Sequence, residues 1–419
     1  MPNTGRGSLG VYIHIPFCHG KCAYCDFYSV TGGGAKMDRY FDALARHIAE
    51  YEPQLDGYIV DTVYFGGGTP TVFGAARLVG ILNTLKKHGH IALDAEIALE
   101  ANPESVDVNE LRTLRRAGFN RISIGVQSSS EAQLRTLGRL HSFAMAKSAF
   151  ADARAAGFRN VSADVMYGLP NQTGESFAED LVKILSLAPD HISCYGLKLE
   201  QDTPFYVYRD SPFLPDDDTQ ADMYLYAVDT LERYGYHQYE ISNFARRGFE
   251  SRHNLKYWLG GEYLGFGASA HSYMGGARFS IHADIEKYCS GMESGGGIID
   301  ATDAVTNYEL LSEYLMLRLR TTRGVSEEEY RGIYNVGMTR VLELLTSYEE
   351  RGWTARTADG RWRFTPEGFL LSNTLIGELL DAQQRERAET VRPWQSPNLA
   401  DESQTTLFTA ERRTVAGFI

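Results

Sequence analysis

Residues 96–127 read EIALEANPESVDVNELRTLRRAGFNRISIGVQ. EIALEA (96–101) and RISIGVQ (121–127) are short, nearly continuous apolar runs, and a helical stretch lies between them near 107–117. Two such strands joined by a helix mark a parallel pair covered on both faces. The same alternation repeats outward in both directions. Upstream stand GVYIHI (10–15), a helical stretch over 37–51, TVYFGGG (62–68) and a helix near 75–87. Downstream stand helices within 130–156, VSADVMYGL (161–169), a helix near 175–187 and HISCYGLKL (191–199). A helix over 219–234 and HQYEIS (237–242) follow. Six such units fit either a doubly wound α/β sheet or an incomplete (β/α)6 barrel. Glu100, Gln127 and Asp164 each close a different strand at its C-terminal end. An open sheet gathers ligands mainly at one switch point, whereas barrel enzymes draw on many strand ends. The expected fold is therefore the incomplete barrel, over residues 1–242.

Beyond it the periodicity weakens. Residues 243–306 are rich in glycine and aromatics and read as a connection. Within 307–382, amphipathic helices (307–320, 326–332, 336–351) precede a hairpin signal at Asp359-Gly360 and a further helix from Pro366, a winged-helix-like arrangement. Its arginines are nearly balanced by acids, which points to an interaction or lid module and away from DNA. Residues 383–419 turn polar and are expected to be disordered.

The chain has 419 residues, 43% of them hydrophobic, enough for two to three domains with buried cores. A net charge of −13 excludes a general nucleic-acid binder, which needs a basic face. No run of eighteen apolar residues is present, so no membrane span is expected. Met1–Gly10 holds no basic segment followed by an apolar one, so no export signal is expected. Three of the five cysteines fall within eight residues, which reads as a metal site in a cytoplasmic protein and not as a disulfide framework.

Those three lie in YIHIPFCHGKCAYCDF (12–27), directly after the first strand. Thiolates at Cys18, Cys22 and Cys25 suit a loop wrapped around a cuboidal iron–sulfur cluster, whose full complement is four protein ligands. Three would leave one iron open to an exchangeable ligand. The rival is a Cys3His zinc site completed by His14 or His19. Pro16 and Gly20 argue against a helix with one thiol-bearing face. Cys194 and Cys289 stand alone and read as structural. Gly66-Gly67-Gly68-Thr69-Pro70 follows a strand but lacks the lysine of a phosphate-binding loop, so by itself it is a tight turn or a cradle. Glu100 by itself is a strand-end carboxylate able to accept from a ribose.

The segment 12–27 resembles the CxxxCxxC signature of radical SAM proteins, in the form found in the oxygen-independent coproporphyrinogen oxidase-like family, and the likeness runs from about residue 8 to 380. It implies a [4Fe–4S] cluster on Cys18, Cys22 and Cys25, with S-adenosylmethionine chelating the open iron through its amino and carboxylate groups. An electron passed through the cluster then breaks the sulfonium bond and yields an adenosyl radical. The resemblance further implies that the glycine motif at Gly67 meets the methionine amino group. Glu100, Gln127, Arg139 and Asp164 would contact the cofactor, and Tyr12 and Tyr24 would flank the cluster. In the oxidase, Gly68, Thr69 and Arg139 correspond to contacts with a second S-adenosylmethionine.

Two departures separate this chain from the oxidase. Phe27 stands where the oxidase carries a further cysteine, and Cys18 comes almost at once where the oxidase has a long leading segment. His253-Asn254-Leu255-Lys256-Tyr257-Trp258 resembles the HNxxYW motif of HemW-type haem chaperones. Taken alone, the run could be packing. The resemblance makes His253 a candidate axial haem ligand, with His271 second. The expectation is a protein that binds haem and transfers it to an acceptor protein, soluble or membrane-associated. The alternatives are a coproporphyrinogen III oxidase, acting by radical decarboxylation, and a non-catalytic cluster-bearing scaffold.

Overall fold

In each of the first six strands, apolar residues at alternate positions turn outward beneath helices while the residues between them turn inward. Val63 and Phe65, Leu99, Ile122 and Ile124, Ala163 and Val165, and Ile192 are fully buried in this outward layer. Burying side chains of this size contributes about 1.5–3 kcal/mol each. The covering helices present matching stripes: Gly34–Glu50 buries Tyr40, Leu44 and Ile48, and Ala75–His88 buries Leu78, Ile81, Leu82 and Leu85. Local signals set the boundaries. Asp107 accepts from the Asn109 and Glu110 amides to start the helix Val108–Ala117, and Gly118, at φ +118°, ends it.

The computed structural model describes residues 7–389. Strands β1 (Gly7–Ile15), β2 (Tyr58–Gly67), β3 (Ile91–Ala101), β4 (Arg121–Gln127), β5 (Asn160–Tyr167) and β6 (His191–Gly196) pair in parallel, in chain order. This is the expected run of βα units, and it does not close: further strands occupy both edges. On one side β6 meets β8 (Asn243–Ala245) and then β7 (His237–Glu240), both antiparallel. On the other, β9 (Tyr263–Phe266) pairs parallel with β1, and β10 (His271–Met274), β11 (Ala277–Ile281) and β12 (Ile299–Ala304) continue antiparallel. Residues 243–306 are therefore not a mere connection. They extend the sheet with strands of three to six residues, too short and glycine-interrupted to show periodicity.

Residues 307–389 form a helical unit around a second core, including Leu315, Leu319, Leu345, Trp362, Phe364 and Leu379, which Tyr224 of the helix Asp217–Arg233 also joins. Its helices Asn307–Arg318, Glu327–Tyr334 and Thr339–Glu350 precede the hairpin β13 (Thr354–Arg356) and β14 (Trp362–Phe364). The last helix, Ser372–Glu389, runs into the segment expected to be a disordered tail. Gln383 is buried there, its Nε2 donating to the Leu311 carbonyl at 3.1 Å and to the Tyr330 hydroxyl at 2.8 Å. The rest of that expected tail lies outside the described residues. Among the described residues, no helix is long and apolar enough to cross a membrane.

Candidate functional site

The inward positions of β2–β6 meet in one cavity of about 580 Å³, which runs from the first residues of β4 and β6 to the strand C-terminal ends. Period-two alternation delivers Tyr64 from β2, Glu100 from β3, Arg121, Ser123, Gly125 and Gln127 from β4, Asp164 and Met166 from β5, and His191, Ser193 and Tyr195 from β6. The loop after β1 forms the mouth. Its base is pinned by Val30, whose amide donates to the Pro16 carbonyl at 2.7 Å while its carbonyl accepts from the Cys18 amide at 3.0 Å.

Cys18, Cys22 and Cys25 all line that mouth as half-buried free thiols. Burial pushes the Cys18 and Cys25 thiols up from their ordinary range. Thr69 Oγ1 lies 3.4 Å from Cys18 Sγ, and Arg139 Nη1 lies 3.6 Å from Cys22 Sγ. A positive charge beside one of the three suits a centre that needs thiolates. Among the described residues, no three His, Cys, Asp or Glu side chains gather as a single metal ion would require. His14 cannot complete a zinc site, because it is 4% exposed and both ring nitrogens are engaged. Nδ1 lies 3.0 Å from the Tyr12 hydroxyl and Nε2 3.1 Å from the Tyr28 carbonyl. His19, the other candidate for such a site, is exposed.

The glycine loop has a packing reason to be glycine, besides the expected close approach to a ligand. Gly67 has φ +108°, and a Cβ there would run into the His14 ring. A Cβ on Gly68 would stand 2.8 Å from the Ile15 and Phe17 carbonyl oxygens. Packing against the chain that leaves β1 already demands both glycines. The Gly67 amide donates to Glu100 Oε2 at 3.1 Å, and the Tyr64 hydroxyl donates to Oε1 at 2.8 Å. Burial pushes Glu100 up to about 7, against these two donors. Asp164 is pushed up to about 6 by the same cause, although Ser123 donates to it at 2.8 Å.

Around them a second ring of contacts fixes the walls. Asn102 Nδ2 donates to Thr69 Oγ1 at 3.0 Å, and its Oδ1 accepts from Arg139 Nη2 at 2.6 Å. Arg139 also donates to the Gly125 carbonyl at 2.8 Å, and its Nε finds no partner among the described residues. Gln127, a non-glycine residue at φ +62°, accepts from the Tyr195 hydroxyl at 2.9 Å. Backbone strain of this kind tends to collect at functional sites.

Of the residues expected in the site, Cys18, Cys22, Cys25, Tyr24, Gly67, Gly68, Thr69, Glu100, Gln127, Arg139 and Asp164 line this one cavity. Tyr12 does not: its ring lies 6.3 Å from that of Tyr64 and backs the wall. His253 is not presented to a haem iron either. It is fully buried, with Nδ1 2.9 Å from Thr62 Oγ1 and Nε2 2.7 Å from the Tyr257 hydroxyl, and burial lowers it to about 3. Its neighbour Asn254 reaches the cavity instead. His271 is exposed on β10. Tyr64, Asn102, Ser123, Ser193 and Tyr195 were missed, although apart from Asn102 each is a polar inward member of an alternating strand. A shallower hollow of about 920 Å³, lined by Phe213 and Tyr226 among others, contains none of the expected residues.

Residues 12–184 match the Radical SAM superfamily, and residues 305–371 match the HemN C-terminal domain. The heme chaperone HemW of Bacillus subtilis (strain 168) is 35% identical over 373 residues, covering 88% of this chain and 98% of that protein. The heme chaperone HemW of Escherichia coli (strain K12) is 34% identical over 373 residues, covering 88% and 97%. The heme chaperone HemW of Synechocystis sp. is 35% identical over 412 residues, covering 92% and 100%. Among solved structures, the radical SAM enzyme coproporphyrinogen III oxidase (HemN) from Escherichia coli superposes with a TM-score of 0.78 at 25% identity, over 91% of each chain.

Proposed function

The chain belongs to the HemW family within the radical SAM superfamily, and we propose that it is a haem chaperone that binds haem and passes it to an acceptor protein, carrying a [4Fe–4S] cluster with exchangeable S-adenosylmethionine. The observation that carries the cofactor reading is the trio of half-buried thiols at the mouth of a cavity walled by polar ends of five neighbouring strands. When bound, the cluster and S-adenosylmethionine supply one-electron chemistry at the sulfonium.

The chain's own residues fit that pair. Cys18, Cys22 and Cys25 would hold three irons, and Arg139 and Thr69 would offset the charge of the Cys22 and Cys18 thiolates. Glu100 and Asp164 would accept from the donor groups of S-adenosylmethionine, and such contacts draw both towards their ionised forms. Tyr195 holds Gln127 at the opposite wall. Gly68, Thr69 and Arg139 are assigned to the cluster side, because the polar atoms of Thr69 and most of those of Arg139 already serve Cys18, Cys22, Asn102 and Gly125. Tyr24 lies between this group and Phe205, with ring centroids 6.2 Å apart.

The haem part of the proposal rests on the relatives' names. His271, exposed on β10, is the candidate axial ligand in place of the sealed His253. The acceptor is a protein, membrane-associated or not, met in the cytoplasm. The superposition with the Escherichia coli oxidase favours one second reading, oxygen-independent oxidation of coproporphyrinogen III. Against it, Phe27, 68% exposed at the cavity mouth, replaces the further cysteine. The deciding experiment is anaerobic incubation of the reconstituted protein with coproporphyrinogen III, S-adenosylmethionine and reductant, beside a haem titration. The chaperone reading expects stoichiometric haem binding and no decarboxylated product. Conversion at a useful rate puts the oxidase in its place.

A further inference from the structure

Two strands that build the cavity also build a grip behind it. On β3, Glu96 and Glu100 lie four residues apart on one face. Glu96 accepts from the His253 amide at 3.0 Å and the Arg252 amide at 3.1 Å, and so seats the first turn of the helix Arg252–Trp258. On β2, Thr62 and Tyr64 lie two apart on one face. Thr62 hydrogen-bonds to the His253 ring, and Tyr64 stacks on it with centroids 5.2 Å apart and planes 19° from parallel. Lys256 of the same helix pairs with Asp61 at 2.9 Å and donates to Ser8 at 2.8 Å.

The imidazole is thus clamped at both nitrogens, whichever tautomer it takes, and its flat face is given to Tyr64. Of the side chains in contact with the ring, Tyr64 is the one among the described residues seen to hydrogen-bond to Glu100, its hydroxyl donating to Oε1. We propose that His253 is a positioning residue for the cofactor cavity: from behind the wall its ring holds Tyr64, so that the Tyr64 hydroxyl and the Gly67 amide together fix the Glu100 carboxylate towards S-adenosylmethionine. This rests on the reading that the cavity takes that cofactor. It gives the histidine of the HNLKYW run a role other than binding haem, and leaves Asn254 as the member of the run that lines the cavity.

The mechanism is loss of preorganisation. Without the ring, Tyr64 regains rotamer freedom, and the carboxylate keeps one fixed donor in place of two. One hydrogen bond of this kind corresponds to about tenfold in affinity.

The test uses the full chain, reconstituted anaerobically with its cluster, with S-adenosylmethionine affinity read by calorimetry and haem binding by the Soret band. His253→Ala should weaken S-adenosylmethionine about tenfold while iron content and haem stoichiometry stay unchanged. Tyr64→Phe should do the same, and the double variant should be no weaker than either alone, because the two residues act in series. His253→Phe, which keeps a flat ring but neither hydrogen bond, should recover most of the loss. A role confined to anchoring the helix predicts no such recovery. Unchanged affinity in His253→Ala, full additivity with Tyr64→Phe, or a lost Soret band with intact S-adenosylmethionine binding would each overturn the inference. If His253→Ala does not fold, His253→Leu, which fills the space without a flat ring, carries the test, and unchanged affinity there overturns it too. A wild type that binds no S-adenosylmethionine at all removes the underlying cavity reading, and the inference with it.

Discussion

Burial holds Cys18 and Cys25 in the thiol form, so loading the site must release protons and create thiolates beside Arg139. Replacing any one of Cys18, Cys22 or Cys25 by Ala should abolish the visible iron–sulfur absorption. Replacing Cys194 or Cys289, both buried in the core away from the mouth, should leave it intact. A wild type that takes up zinc and neither iron nor sulfide would sink this assignment. Glu100 adds a pH signature. Its carboxyl sits near 7, so a ligand that prefers the carboxylate must displace a proton below that value. S-adenosylmethionine affinity should therefore rise from pH 5.5 to about 7 and level off above, and Glu100→Gln should remove most of that slope. A flat wild-type profile counts against Glu100 as a contact. Gly67→Ala should lower the melting temperature of the apoprotein itself, since strain at positive φ costs about 1–3 kcal/mol and the His14 ring must also move. At this scale the cysteines and the polar strand ends were legible, because spacing and alternation both report directly on facing. Depth was not legible. Tyr12 lies on the same strand face as the cavity residues but pairs with Tyr64 one layer behind it, and His253 points into the layer that supports the wall.

Strands and helices that repeat an apolar pattern over a full turn or more were readable, and those that do not were lost. β1–β6 carry continuous apolar runs, and the helices between them carry stripes at three- and four-residue spacing. β9 and β10 escape because a strand of four residues near glycines gives alternation no length in which to appear. The short helix Arg252–Trp258 escapes for a related reason. It is held less by its own sequence than by Ser251, whose hydroxyl accepts from the Asn254 amide, and by Glu96 from a distant strand. Glu96→Gln should cost roughly 1 kcal/mol by removing a charge from that N-terminus, read as a lowered melting temperature with cluster content retained. No loss of stability would mean that the helix is seated by its apolar contacts alone.

The whole molecule couples a cavity to a helical unit fastened across the end of the sheet. The Ile241 amide donates to the Arg320 carbonyl at 2.9 Å, and the Thr322 amide to the Tyr239 carbonyl at 3.1 Å. Arg318 reaches the Leu259 carbonyl just beyond the HNLKYW helix and pairs with Glu329, which also takes Arg361 at 2.6 Å. This unit therefore touches the segment that backs the cofactor wall. The proposed haem delivery rests on the relatives' names: among the described residues, the histidine that the motif suggested is sealed. The claim on which everything else depends is that three cysteines leave one iron open to S-adenosylmethionine in this cavity. The most direct measurement is the paramagnetic resonance spectrum of the reduced, reconstituted protein with and without S-adenosylmethionine. A changed cluster signal on addition is the predicted result, and a signal indifferent to saturating S-adenosylmethionine would contradict it.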